Sequence, residues 1–452
     1  MKTTLKFFNF SLLLLLLFYT SPSTPGIHLA AAQNISPPPL VTETFNLPEN
    51  MEVGLEIEAR SPGASWAREG AEAAALLVSV DGVYQQDLLL WAGDEVSAYR
   101  VMLGRLDKGK HTVSVTLNKA RSAKEAQRAE VKSLRPLPLT RGTNNSDEDL
   151  LALAHAPFLY ARANTIDHFT DIPLVMYYEI LHEAGGNLLV RYTVIFTNED
   201  GGTQTAALLS RWGRGTDIEW VYQFRAHNQK IVEEIYQGVR HETKFFTGSR
   251  ANGNHPLLAV ASDNNNFSDL ATSAVRFAPL PVRARLETAT RESVMDTYPQ
   301  TYRVMAEELL REKRISDTPT DINTIADPRE YLYIEATSEQ AGTAIAFDVK
   351  IAGQPKIFAT DMNDARLRID RSGYFRTAVR LPKDVSPAAI ETITARCEAT
   401  PKVATERRCN HLKVVRALML DQNYQPRTLP LQTQPESSLA AGETKMFRLA
   451  AH

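Results

Sequence analysis

The residues best equipped for chemistry gather between positions 198 and 266. Asn198-Glu199-Asp200-Gly201-Gly202 forms a polar turn, and Gly213-Arg214-Gly215-Thr216-Asp217-Ile218-Glu219-Trp220 leads into an apolar run. Arg240-His241-Glu242 follows, and Asn254-His255-Pro256 precedes Asp263-Asn264-Asn265-Asn266. Asp217 and Glu219 stand two apart on an expected strand, so their side chains share a face at a separation of ~7 Å. Carboxylates so placed can hold a hard cation such as Ca²⁺ or Mg²⁺, which takes oxygen ligands, with Asp263 as a third donor. They can equally divide acid and base roles across a scissile bond. Arg214, His241 and His255 are the candidate ligand-binding groups.

A plainer reading fits the same residues. Ile218, Trp220, Tyr222 and Phe224 alternate with Asp217, Glu219, Val221 and Gln223, as in a strand with one core face and one wet face. On that view both acids are merely solvated. The Asp263–Asn266 run suits side-chain turns in the same way, and it lacks the glycine and terminal glutamate of an EF-hand loop.

Gly213-Arg214-Gly215-Thr216-Asp217-Ile218-Glu219 resembles the Gly-His-Arg-His-Asp-Trp-Glu heptad of the necrosis-inducing, ethylene-inducing-peptide-like secreted proteins, and also the Asp-Trp-Glu segment of the Vps62-like group. The resemblance implies a β-sandwich in which Asp217 and Glu219 help hold a divalent cation at a surface that binds membrane glycolipid; His241 or His255 are candidate further ligands that the heptad itself does not specify. Both heptad histidines are replaced here, by Arg214 and Thr216, and the tryptophan by Ile218. Arg214 can substitute its own charge for that of the metal.

Other chemistries lack their motifs. There is no Gly-rich phosphate loop ending in Lys and Ser or Thr and no Gly-x-Ser-x-Gly elbow, and His182-Glu183 and His241-Glu242 lack the second histidine of a zincin. Lys and Arg (50) nearly balance Asp and Glu (53) and are dispersed, so the electrostatic footprint of a nucleic-acid binder is missing.

The elements that must position the polar loops read as β. Lys2 and Lys6, the apolar stretch Phe7 to Tyr19 and Ala30-Ala31-Ala32 form an expected signal peptide over 1–32, which implies a secreted or periplasmic protein. The apolar stretch is short of the ~20 residues that span a bilayer, and no later segment is apolar enough to do so. Residues 33–45, with Pro37 to Pro39, read as a linker. Alternating strands at Val53 to Ala59, Ala75 to Val80 with the Asp81-Gly82 hairpin, Tyr99 to Leu103 and His111 to Leu117 predict a sandwich over 46–140. Its stretch Gly104 to Val113 resembles the jelly-roll or immunoglobulin-like accessory modules of secreted carbohydrate-active proteins. Trp66 and Trp91 are either sugar-stacking platforms or core residues. Residues 141–326 read as a central β domain with one helix near 299–314, and 327–452 as a C-terminal β-sandwich with a disordered tail. Cys397 and Cys409, the only cysteines, are expected to pair.

The sequence therefore predicts a mainly β, multidomain chain of antiparallel sandwiches. Its leading functional expectation is a secreted or cell-surface binding protein with a polar pocket, served or not by Ca²⁺ or Mg²⁺, for a glycan or polar lipid head group. A hydrolase using the Asp217 and Glu219 pair and a passive extracellular scaffold are the alternatives.

Overall fold

The computed structural model describes residues 38–142, 145–162, 172–199, 201–319, 321–402, 404–432 and 434–449. The expected signal peptide lies outside them. Strand accounts for 48% and helix for 12%, which makes the chain mainly β, as the alternation requires. Residues 38–452 cluster as one compact unit.

In its first part, Val41–Leu47, Gly109–Leu117, Ala75–Val80 and Val83–Leu89 lie side by side in that order. Ser97–Leu106, Met51–Arg60 and Glu130–Pro138 form the facing sheet, and all neighbours are antiparallel. Val53, Leu55, Ile57, Val78, Val101 and Val115 fill the space between the sheets. Asp81 and Gly82 have φ of 50° and 78°, the left-handed pair that a two-residue hairpin needs to follow strand twist. The segment expected as linker already becomes strand at Val41, because Val41, Phe45 and Leu47 alternate inward. Trp66 is wholly buried and Trp91 half-buried.

The central part holds a six-stranded sheet in the order Thr243–Phe245, Lys230–Gln237, Ile218–His227, Asn187–Phe196, Pro173–His182, Val282–Arg283. A smaller sheet faces it, with Arg250–Ala251, His255–Val260, Phe158–Tyr160 and Arg276–Phe277 in that order. Two of these pairings are parallel, so this part is mixed rather than purely antiparallel. Phe158, Tyr178, Tyr192, Tyr222, Phe224 and Phe267 fill the gap. The other face of the large sheet, at Tyr177, Ile195 and Ile218, is covered by the helices Thr205–Trp212, Ser293–Thr297 and Gln300–Arg311 and by Tyr331 and Tyr333. The expected helix forms at Gln300–Arg311 directly after Pro299, burying Tyr302, Met305, Ala306 and Leu309. A further helix, Asp147–Ala154, forms near the start of the central part, where Ser146 and Asp149 form a capping box.

The last part is a second sandwich. Gly373–Arg380, Tyr331–Ala341, Arg408–Leu420 and Pro426–Leu429 make one sheet, and Ile357–Ala359, Thr343–Ile351, Ile390–Ala399 and Thr444–Arg448 the other. Cys397 and Cys409 form a disulfide that joins the two sheets through the core. The polar tail is a correction to the sequence reading: Pro426–Leu429, Ser437–Ala440 and Thr444–Arg448 pair with the sandwich strands, since Leu429, Leu439 and Phe447 enter its core. Among the described residues no helix is long and apolar enough to cross a membrane.

Candidate functional site

Asp217 sits immediately before the strand Ile218–His227, and its backbone carbonyl accepts from the Phe196 N–H at 2.9 Å, which ties the start of this strand to the end of Asn187–Phe196. The ladder then slips. Thr193 faces Trp220 and Tyr192 faces Tyr222, so Val221 is an extra residue, a β-bulge. Simple alternation would put Ile218, Trp220, Tyr222 and Phe224 on one core face. With the bulge, Ile218 packs toward the helices, Val221, Tyr222 and Phe224 share the aromatic core, and Trp220 is only half-buried.

The two acids are not solvated. Asp217 is fully buried, and the Glu219 side chain is 13% exposed. A third carboxylate joins them from the turn after Asn187–Phe196: Glu199 is buried, and its Oε1 accepts from the Thr203 N–H at 2.9 Å. Burial, reinforced by the Glu219 charge, pushes the Asp217 carboxyl up to about 7. Burial and the Asp217 charge push Glu199 up to about 7 in the same way. Burial raises Glu219 as well, against the hydrogen bond it accepts from the Gln237 amide. Three acids in one low-dielectric region cannot all ionise cheaply, so Asp217 and Glu199 hold their protons well above the ordinary carboxylate range.

Positive charge is present but shared. The Arg214 guanidinium lies 3.8 Å from Asp217 Oδ1, donates to the Thr216 carbonyl, and approaches Glu292 Oε1 at 3.3 Å. Arg291 donates to the Ile218 carbonyl at 3.1 Å. Burial opposes ionisation of Glu292, yet Arg214 and Arg291 hold its carboxyl below the ordinary value. Asp217 Oδ2 accepts from the Asn265 amide at 3.0 Å, while Oδ1 is buried without a hydrogen-bond partner.

His241 forms the accessible edge, its side chain 53% exposed. Its Nδ1 lies 3.7 Å from Glu219 Oε2 and 3.0 Å from the Gln237 amide nitrogen, and its Nε2 lies 2.9 Å from that of Asn264. Arg240 and His241 both adopt left-handed backbone, with φ of 64° and 60°, a conformation that costs non-glycine residues of order 1 kcal/mol and needs surrounding contacts to persist. Asn266 supplies one such contact by accepting from the Arg240 N–H at 3.0 Å.

The structure thus brings together Arg214, Asp217, Glu219 and His241. Asp263 lies beside them on the neighbouring loop but turns outward, where its carboxylate takes the Arg162 guanidinium at 2.6 Å. His255 belongs elsewhere: its ring stacks on Phe158 and its two nitrogens contact the Ala156 carbonyl and Glu52. Among the described residues no group of three or more His, Cys, Asp or Glu stands close enough to hold a metal ion. Glu199, Gln237 and the Arg291-Glu292 pair complete the cluster. Glu199 was visible only as part of a polar turn, and Arg291 and Glu292 arrive from a segment with no local motif. No family model matches the chain, and no match is found among the curated proteins.

Proposed function

We propose that the protein is an exported binding protein that recognises a hydroxyl-rich ligand, a glycan or polar lipid head group, at the loop end of the central sheet. The observation that carries this reading is the pairing of a rim formed by the exposed His241 imidazole and the half-buried Asn264 amide with a buried carboxylate cluster behind it, in which Asp217 and Glu199 are pushed up to about 7. Donors and acceptors at the rim suit hydroxyl groups, and the strained backbone at Arg240 and His241 is the kind of conformation that functional loops retain. The heptad resemblance supports the same place. Arg214 stands where that heptad has a histidine, and its guanidinium beside Asp217 supplies locally the charge that a cation would bring. Export is supported by the apolar leader and by the disulfide, which persists in oxidising compartments.

A hydrolase reading has less support, because Asp217 has no surface through which a substrate could reach it. A cation-dependent form is favoured by one observation, the buried Asp217 Oδ1 without a hydrogen-bond partner. Glycan-array and lipid-overlay binding by the exported chain, with His241→Ala and Asn264→Ala, tests the proposal. Each substitution is expected to weaken the best ligand at least tenfold, with binding and thermal midpoint unchanged by chelator or added Ca²⁺. Binding that ignores both substitutions sinks the reading. A midpoint raised by Ca²⁺ in the native chain but not in Asp217→Asn replaces it with the cation-dependent form.

A further inference from the structure

Lined by none of the residues of the carboxylate cluster, a cleft with two chambers opens where the N-terminal sandwich, the central sheet and the loop after Arg408–Leu420 meet. The first chamber, about 310 Å³, has an apolar floor that includes Leu89 and Val101 of the sandwich and Met176, Phe277 and Leu280 of the central part. The second, about 460 Å³, is lined by Gln300, Arg303, Asn423, Tyr424 and Gln425. Trp91, Ala98 and Gln300 line both, so the chambers share a neck. Trp91 is held there by an edge contact with Tyr99, ring centres 5.1 Å apart.

The charges around this cleft are already matched. Asp87 at the first chamber takes the Arg121 guanidinium at 2.6 Å, and Arg100 reaches Glu56 at 2.7 Å. In the second chamber Arg303 pairs with Glu95, and Arg329 covers the Tyr424 ring at 4.7 Å. The Gln86 amide is spent on the Met102 carbonyl and the Ala278 N–H. What the walls offer a ligand is therefore apolar surface on one side of the neck, neutral amide groups on the other, and an aromatic face between them. Small-molecule sites of this size are lined in the same way, mostly apolar with a few polar groups that fix orientation.

We infer that this cleft binds an uncharged amphiphile, with a single short apolar tail in the first chamber and a hydroxyl-rich head against Gln300, Asn423 and Gln425 in the second. A charged head would find no unmatched counter-charge and would lose hydration on entry. A free sugar would leave the apolar chamber unfilled and forgo most of the buried area.

The probe is n-octyl-β-glucoside, titrated below its micelle concentration into the full chain and followed by calorimetry and tryptophan fluorescence. One saturable site is expected, with glucose and octyl phosphate each binding at least tenfold more weakly. Ala98→Trp, an exposed position at the neck, is expected to abolish binding, and Trp91→Ala to weaken it at least fivefold. Gln300→Leu is expected to weaken octyl glucoside while leaving octanol unchanged, and this distinguishes head recognition from tail burial even if Ala98→Trp fails to fold. His241→Ala is expected to leave all of these values unchanged, which separates this site from the one proposed above. Unsaturable binding indifferent to all three cleft variants, equal affinity for octyl phosphate, or an adventitious additive only overturns the inference.

Discussion

Asp217 and Glu199 make a pH-dependent contribution whose sign follows from their burial. In the unfolded chain both lose their protons near about pH 4, whereas in the folded protein they keep them up to about 7. Between those values the folded state binds more protons than the unfolded one, so stability falls as pH rises through this window and levels above it. Asp217→Asn and Glu199→Gln remove the titrating group while keeping its shape. Each is expected to leave stability at pH 5 within about 1 kcal/mol and to raise it at pH 8 by on the order of 2 kcal/mol, as read by urea unfolding at both values. Equal effects at the two pH values would show that the acids are ionised throughout. This cluster was half legible from sequence. Asp217 and Glu219 stood out by spacing, but their burial did not, because the alternation of Ile218, Trp220, Tyr222 and Phe224 gives no sign of the bulge at Val221. The arrival of Arg291 and Glu292 beside them depends on tertiary packing, which no local pattern carries.

Two turns decide whether the rim around His241 is assembled. Gly202 has φ of 87°, and a β-carbon there would come within 2.5 Å of Asn264 Oδ1. Gly202→Ala therefore has both a backbone cost and a clash with the loop that holds His241 Nε2. Its expected outcome is a loss of ligand affinity comparable to that of Asn264→Ala, together with an unfolding midpoint lowered by a few degrees. Retained affinity would mean that the Asn264 loop does not shape the site. In the second sandwich the disulfide joins Ile390–Ala399 of one sheet to Arg408–Leu420 of the other, closing a loop with a sequence separation of 12. Replacing both cysteines by serine is expected to cost about 3 kcal/mol, measured by denaturant unfolding with and without reductant. The strand Ala75–Val80 was read at the residues where it forms, since its run of apolar residues ends at a clear turn signal, Asp81-Gly82. Thr205–Trp212 was not read at all. It is a short helix that ends at Gly213 in left-handed backbone, inside a segment whose glycines drew attention to chemistry instead.

At the scale of the whole molecule, the N-terminal sandwich is bound to the central part by backbone as well as side chains. Met102 N–H donates to Ala278 at 2.7 Å, Leu280 N–H to Arg100 at 3.0 Å, and Arg105 N–H to Asn252 at 2.8 Å, so the strand Ser97–Leu106 continues its hydrogen bonding into segments more than a hundred residues away. His255 anchors the other side of this seam. Its buried ring stacks on Phe158 at 4.5 Å between centres, and its Nε2 meets Glu52 at 3.0 Å. Removing the ring leaves the Glu52 carboxylate, only 7% exposed, without this partner and empties the stack. His255→Ala is expected to cost on the order of 2–4 kcal/mol. Because the loss falls on the seam rather than inside either core, the native chain should melt in one calorimetric transition and the variant in two, the lower belonging to residues 41–138, which become the first site of limited proteolysis. Binding at the His241 rim should survive below that lower transition, since none of its contacts involves the sandwich. A single transition in the variant, shifted as a whole, would instead show that the backbone hydrogen bonds alone keep the parts cooperative.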